Sequence, residues 1–344
     1  MEEIKVLTTW SLTDPERELI HRYWPSNAKL LTKETPTISN TAQTEWSAQA
    51  DVVVGLMSGI TLELLQAAPK LRLVHLLGHG ADALLAPDIV RQLKLHGVSV
   101  ARAGAAAVAI AEFTVMAMVS LSRRLLNIHD ALARYGDWSV EKLANRPFGT
   151  VGGELGGRTL GLMGFGTIGQ QIARRALGFD MDIVTLTRRP DLVQLETPAV
   201  SRAYGPTEFF EFLERTDYLV IAAPLTDETR GLVDEAALAR LKTGSYLVNI
   251  SRGPIVDEEA LYRALESGRL AGAALDVWCS EDNGHPKGYP TTQPIHQFNV
   301  IMTPHYAGIT QEARERALRI VGENLSRVGT EQPFLNLVDL EAGY

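Results

Sequence analysis

Apolar residues follow two rhythms along this chain. Mainly apolar runs recur at residues 4–7, 51–54, 71–77, 97–100, 160–163, 183–186, 217–223, 246–250, 273–277 and 300–302, and such runs read as buried strands. Elsewhere the apolar positions fall at helical period. Residues 62–67 form one such stretch, closed by Pro69, residues 257–267 a second, and residues 311–328 a third, with 313, 317, 320, 321 and 325 on one face. Asp14-Pro15-Glu16-Arg17-Glu18 opens an earlier helix by its cap and acidic first turn. Residues 31–48, rich in Thr, Ser and Gln, read as loop with at most a short strand. Strands alternating with helices predict an α/β chain with parallel sheets, the first in a smaller domain. A long alanine-rich helix over about 105–124 leads away from that domain into a mixed connection at 130–157.

Both rhythms meet over residues 157–189. The apolar run 160–163 leads into Gly164-Phe165-Gly166-Thr167-Ile168-Gly169, and apolar positions 168, 172, 173, 176 and 177 then make one face of a helix. Glycines so spaced give a tight turn, close backbone approach and close packing of helix on strand. The amides that open the helix suit a diphosphate. Strand, glycines, helix and second strand in this order predict a dinucleotide site. An NAD site usually ends its second strand in an acid that holds the ribose 2′-hydroxyl. Here Thr187, Arg188 and Arg189 stand there. A hydroxyl and two guanidinium groups favour a 2′-phosphate, hence NADP(H), with NAD(H) as the other option. The bland alternative is an arginine pair that solvates a surface turn.

Composition changes this picture little. A chain of 344 residues suits two domains, and 45% hydrophobic with 22% charged residues is ordinary for a globular protein. With 33 basic and 41 acidic residues the net charge is −8, so no general basic footprint for nucleic acid exists. Cys279 is the only cysteine, which excludes an internal disulfide and fits a reducing, cytoplasmic setting. The start Met1-Glu2-Glu3 does not open a signal peptide. The alanine-rich run 103–119 is short for a membrane span and carries Glu112, so a helix buried between domains or subunits is expected, and no membrane partner.

Three stretches beyond the glycines hold reactive groups, each following an apolar strand: Asn249-Ile250-Ser251-Arg252-Gly253, Asp276-Val277-Trp278-Cys279-Ser280-Glu281 and Thr303-Pro304-His305-Tyr306-Ala307-Gly308. Parallel sheets bind ligands beyond the carboxyl ends of their strands. An arginine to hold a carboxylate, a histidine to give a proton and an acid to support it suit reduction of a 2-oxo acid. Taken singly, each residue also has a structural explanation: a packed histidine, an ion-paired arginine, a solvated acid. Cys279, Glu281, Asp282, His285, His296 and His305 match no compact zinc spacing, and no metal is expected.

Together these stretches resemble the D-isomer-specific 2-hydroxyacid dehydrogenases. Asn249-Ile250-Ser251-Arg252-Gly253-Pro254-Ile255-Val256-Asp257-Glu258 is similar to the family signature. Pro224-Leu225-Thr226-Asp227-Glu228-Thr229-Arg230-Gly231, Gly272-Ala273-Ala274-Leu275-Asp276-Val277 and Thr303-Pro304-His305 complete the match in order. The resemblance runs from about residue 71 to residue 308. It implies a Rossmann dinucleotide-binding domain over 104–308 and a smaller flavodoxin-like α/β substrate domain over 1–103 and 309–344, with the active site in the cleft. Arg252 would bind the substrate's carboxylate and carbonyl oxygen, His305 would be general acid and base, and Glu281 would hold His305 protonated. Asp276 would orient the nicotinamide carboxamide and Pro224 border the adenosine. Ala223, Thr229, Ile250, Ser251 and Gly308 would complete the cofactor set, and the loop Gly78-His79-Gly80 would offer amides to the substrate carboxylate. The C-terminal helix would return to the first domain and the long helix would build a homodimer.

The chain departs from the family pattern in three places. Trp278-Cys279-Ser280-Glu281-Asp282 replaces the frequent Phe-Glu-x-Glu-Pro, His79 stands where a small apolar residue is common, and Ala105-Ala106-Ala107 lacks polar side chains. The expected activity is NADPH-dependent reduction of a small 2-oxo acid, glyoxylate or hydroxypyruvate, to the D-2-hydroxy acid. A formate- or phosphite-type dehydrogenase is the second enzyme reading, although formate enzymes pair their histidine with Gln. A nucleotide-sensing corepressor-like binding protein is the reading from another class.

Overall fold

The computed structural model describes residues 2–31, 45–136, 138, 152–196, 200–280 and 290–341. The chain divides into two compact units, Met1–Ala106 with Ile309–Tyr344, and Ala107–Gly308.

The first unit opens with β1 (Ile4–Thr8), α1 (Asp14–Tyr23), β2 (Ala28–Leu30), β3 (Val52–Gly55), α2 (Leu62–Gln66), β4 (Leu73–Leu76), α3 (Pro87–Leu95) and β5 (Ser99–Arg102). Its strands pair in parallel in the order β2-β1-β3-β4-β5, the doubly wound flavodoxin-like order. Thr13 caps α1 in a capping box: its hydroxyl accepts the Glu16 N–H while Glu16 accepts the Thr13 N–H at 2.8 Å. Three elements depart from the sequence expectation, the first being β2, which precedes the polar stretch 31–48 and has no fully buried residue. The strand expected at 97–100 begins at Ser99, because Gly97 sits at φ +62° in a turn. Helix α3 has no counterpart in the expectation, since Leu93 is its one buried residue.

The second unit runs through α4 (Ala107–Ser122), α5 (Leu125–Tyr135), β6 (Thr159–Met163), α6 (Thr167–Ala176), β7 (Asp182–Leu186), α7 (Pro190–Glu196) and β8 (Arg202–Tyr204). It continues with α8 (Phe209–Arg215), β9 (Tyr218–Ile221), α9 (Glu235–Arg240), β10 (Ser245–Asn249), α10 (Glu258–Glu266), β11 (Leu270–Leu275) and β12 (Val300–Met302). All seven strands are parallel, in the order β12-β11-β10-β9-β6-β7-β8. This is the Rossmann order, with the strand sequence reversing between β6 and β9. Both faces of such a sheet are covered, and β6, β9 and β11 accordingly read as nearly continuous buried runs.

The helix expected over 105–124 is shorter, because Arg124 adopts left-handed φ +53° and a second helix, α5, starts at Leu125. Glu112 of α4 meets Arg175 of α6 at 3.1 Å, so the charge within the alanine-rich run is paired. No described helix is long and apolar enough to cross a membrane.

The chain then returns to the first unit as α11 (Gln311–Leu325), which packs on α1. Arg314 pairs with Glu16, the Trp24 indole N–H donates to the Leu318 carbonyl at 3.0 Å, and a Cβ at Gly322 would lie 2.3 Å from the Tyr23 carbonyl oxygen. Burial alone would push the Glu16 carboxyl up; the Thr13 amide and the Arg314 charge outweigh it and leave the group below its ordinary value. Ala317, Leu318, Val321 and Leu325 thereby join Val6, Val52, Val54 and Leu73 in one core. Residues 104–106, expected to belong with the second domain, group with the first unit. There Arg316 Nε donates to the Ala105 carbonyl at 3.1 Å and Asn336 Nδ2 to the Ala103 carbonyl at 3.4 Å.

Candidate active site

Strand β6 delivers the chain to Gly164, which has φ +101° and whose missing Cβ would lie 2.7 Å from the Ala223 nitrogen. Only glycine lets the turn lie that close to the exit of β9. A Cβ on Gly169 would fall 2.5 Å from the Gly164 carbonyl oxygen, so α6 rests directly on the turn. Gly166 caps α6 with nothing within 4 Å of its Cβ position. Phe165 is buried beneath, and the amides of Thr167, Ile168 and Gly169 form the first helical turn, where backbone donors lack intrahelical acceptors. Packed glycines on either side of an open one make a cradle that fits a diphosphate.

At the end of β7, Thr187 donates its amide to the Tyr204 carbonyl at 2.9 Å, and its hydroxyl accepts the Arg189 N–H at 3.4 Å. Arg188 and Arg189 are exposed at this edge. In the segment after Pro224, a hydrogen bond from Thr226 holds the Glu228 carboxyl below its ordinary value, with the Arg188 charge adding to it. Thr229 is occupied within that segment: its hydroxyl donates to the Pro224 carbonyl and accepts the Thr226 N–H, both at 2.8 Å. Ser251 reaches the same wall, donating its hydroxyl to the Ala223 carbonyl.

Two residues that hold the reactive turns carried no role in the sequence reading. Asn249, almost fully buried at the end of β10, accepts the Ser251 N–H at 3.1 Å and donates to the Arg252 carbonyl at 2.9 Å. It thereby fixes the turn that presents half-buried Arg252, after Ile250. Trp278 donates its indole N–H to the Thr303 carbonyl at 2.9 Å. A Cβ on Gly253 would lie 2.0 Å from the Trp278 carbonyl carbon, so the backbones after Arg252 and after Asp276 lie against one another. A phenylalanine at 278 would lack this donor.

Asp276 is the hub. One carboxylate oxygen accepts the Thr303 hydroxyl at 2.6 Å and the Tyr306 N–H at 2.7 Å, and the other accepts the Ala307 N–H at 2.9 Å. Its carbonyl accepts the His305 N–H at 2.8 Å. This grip holds exposed His305 in a left-handed conformation, φ +55°, that non-glycine residues seldom adopt. Gly308 ends the unit one residue after Ala307. The second unit therefore brings Arg252, Asp276 and His305 to one sheet edge with the glycine cradle. Glu281, Asp282 and His285 lie outside the described residues.

In the first unit, Gly78-His79-Gly80 follows β4. The Cβ position of Gly78 is open, the His79 carbonyl accepts Arg102 Nη1 at 2.9 Å, and His79 Nε2 accepts the Ala106 N–H at 3.1 Å.

Residues 115–307 match the family described as D-isomer specific 2-hydroxyacid dehydrogenase, NAD binding domain. The glyoxylate reductase of Thermofilum pendens is 36% identical over 277 residues, 79% of this chain and 76% of that protein. That of Aeropyrum pernix is 33% identical over 344 residues, 99% of this chain and 97% of its own. A solved structure of an NADPH-dependent glyoxylate/hydroxypyruvate reductase from Sinorhizobium meliloti, in complex with NADP and malonate, is 25% identical with a TM-score of 0.74, covering 98% of each chain. With its cradle, its arginine and histidine turns and its full-length relatives, the chain belongs to the D-isomer specific 2-hydroxyacid dehydrogenase family.

Proposed function

We propose that this protein uses NADPH to reduce a small 2-oxo acid, glyoxylate or hydroxypyruvate, to the D-2-hydroxy acid. The observation that carries this reading is the Asp276-bound turn that presents His305 on the same sheet edge as Arg252. The second unit serves as the dinucleotide-binding domain and the first as the substrate domain. The amides after Gly164, Gly166 and Gly169 hold the diphosphate, and Thr187, Arg188 and Arg189 hold the 2′-phosphate. Ala223, Pro224, Thr229, Ile250, Ser251 and Gly308 line the remainder, and the dinucleotide, when bound, supplies hydride to the carbonyl carbon. Arg252 anchors the substrate carboxylate and draws charge onto the carbonyl oxygen. His305 gives that oxygen its proton as negative charge builds. Glu281 keeps His305 supplied with that proton, and the Gly78-His79-Gly80 amides hold the carboxylate.

The name of the Sinorhizobium meliloti enzyme supports the choice of cofactor and substrate. A homodimer fits the exposed Leu125, Leu126, Ile128 and Leu132, which give α5 an apolar face at the surface of the described residues. A cytoplasmic setting fits the single cysteine.

Initial rates of NADPH and NADH oxidation with glyoxylate, hydroxypyruvate and larger 2-oxo acids test the reading, with formate and NADP⁺ as the contrary arm. A desolvated charge-assisted contact with phosphate contributes about 2–3 kcal/mol, so NADPH should be favoured roughly 30- to 150-fold in kcat/KM. Replacing Arg188 and Arg189 together by Ala should remove most of that preference through the cofactor's KM. Equal use of both cofactors by the parent enzyme contradicts the 2′-phosphate assignment, and faster formate oxidation contradicts the substrate.

A further inference from the structure

Between β5 and α4 the chain passes from the first unit to the second, and Ala106 is the last residue on the near side. Its N–H stands immediately before the helix that starts at Ala107, and an amide there has no carbonyl of its own helix to bond. The His79 ring takes that role through Nε2, 3.1 Å away. A ring nitrogen that accepts a hydrogen bond carries no proton, so His79 is neutral at this contact. The remainder of the loop is bound to the same short segment. Arg102 Nη1 donates to the His79 carbonyl at 2.9 Å, and the Gly104 N–H donates to the Gly78 carbonyl at 3.4 Å. Gly104 has φ +59°, and its Cβ position lies 3.8 Å from His79 Nδ1 and Cε1, so the ring lies alongside it. Ala105 and Ala106 offer no polar side chain that could make such a tie.

We propose that His79 is a positioning residue whose imidazole ties the loop Gly78-His79-Gly80 to the segment by which the chain leaves the first unit. Loop and segment then form one rigid piece, and the loop amides keep a fixed direction. The consequence for catalysis rests on the reading above, in which those amides hold the substrate carboxylate. A loop freed from the segment must be ordered by the substrate itself, which weakens substrate binding and leaves the cradle in the other unit unaffected.

The full chain, His79→Leu and His79→Gln are compared by amide hydrogen exchange in peptides spanning residues 103–107 and by steady-state kinetics. Leu keeps apolar bulk without an acceptor, while a Gln side-chain oxygen reaches about as far as Nε2. Exchange at Ala106 should be about 10-fold faster in His79→Leu, with a rise of similar size in KM for glyoxylate, an unchanged KM for NADPH, and recovery of both in His79→Gln. Unchanged exchange at Ala106 in His79→Leu overturns the tie. Faster exchange with an unchanged KM for glyoxylate overturns the positioning role. A parent enzyme that turns over no 2-oxo acid would remove the reductase reading instead, and the exchange comparison would still decide the tie.

Discussion

Asp276 shows how much one buried carboxylate can hold. The family pattern directs it to the cofactor, and here its two oxygens also accept from Thr303, Tyr306 and Ala307 around His305. Asp276→Asn would turn an amide group toward backbone N–H donors, and each buried donor left unpaired costs about 1–3 kcal/mol. Steady-state kinetics should show kcat reduced by roughly 100-fold or more, and an unchanged kcat contradicts the hub role. Arg252 and His305 were legible because each sits in a motif whose chemistry needs it. Asn249 and Trp278 were not, because they act on backbone carbonyls: Trp278 bonds Thr303, 25 residues away. His75 was also passed over. It is fully buried in β4 with Nδ1 at 3.2 Å from the Leu76 carbonyl and Nε2 without a hydrogen-bond partner among the described residues, and burial pushes it down to about 4. Above pH 6.5 folded and unfolded chains both hold this ring neutral. Between pH 6.5 and about 4 only the unfolded chain takes the proton, so stability falls by about 3 kcal/mol as the medium is acidified. Denaturant unfolding of the parent and His75→Leu across this range should show a shallower pH dependence in the variant; parallel curves contradict the assignment.

At the scale of elements, the turn from β6 to α6 is where sequence and structure agree most closely. Apolar run, glycine spacing and helical periodicity all specify the same local geometry. Gly169→Ala tests it, because the added methyl would lie 2.5 Å from the Gly164 carbonyl and must push α6 away from the turn. KM for NADPH should rise about 10-fold or more, with the glyoxylate response at saturating cofactor changed far less; an unaltered cofactor KM contradicts the cradle. Elements with a weak apolar signal escaped the reading. Strand β8 is three residues at the sheet edge and α9 is six residues with Ala237 and Leu238 buried, whereas α8 escaped although it buries Phe209, Phe212 and Leu213. The break between α4 and α5 hides for another reason: it depends on left-handed Arg124, a conformation that no residue type there announces.

For the whole molecule, alternating strands and helices made two α/β layers legible, but the crossing point was not. It depends on hydrogen bonds that Arg316 and Asn336 donate to the Ala105 and Ala103 carbonyls and that His79 accepts from the Ala106 N–H, none of which follows from composition. The apolar face of α5 carries the prediction of a homodimer. Light scattering with size-exclusion chromatography should give twice the 37.6 kDa chain mass, and Leu132→Glu should shift it toward the monomer. A monomeric parent at all accessible concentrations contradicts it. The measurement that bears most directly on the account is a single-turnover experiment, in which enzyme in excess over NADPH is mixed with glyoxylate and nicotinamide absorbance is followed. Parent enzyme should oxidise the bound NADPH in one phase and yield an equal amount of glycolate, and His305→Ala should slow that phase by about 10²- to 10⁴-fold while still binding NADPH. Glycolate formed at the parent rate by His305→Ala would contradict the assignment of the proton donor at its centre.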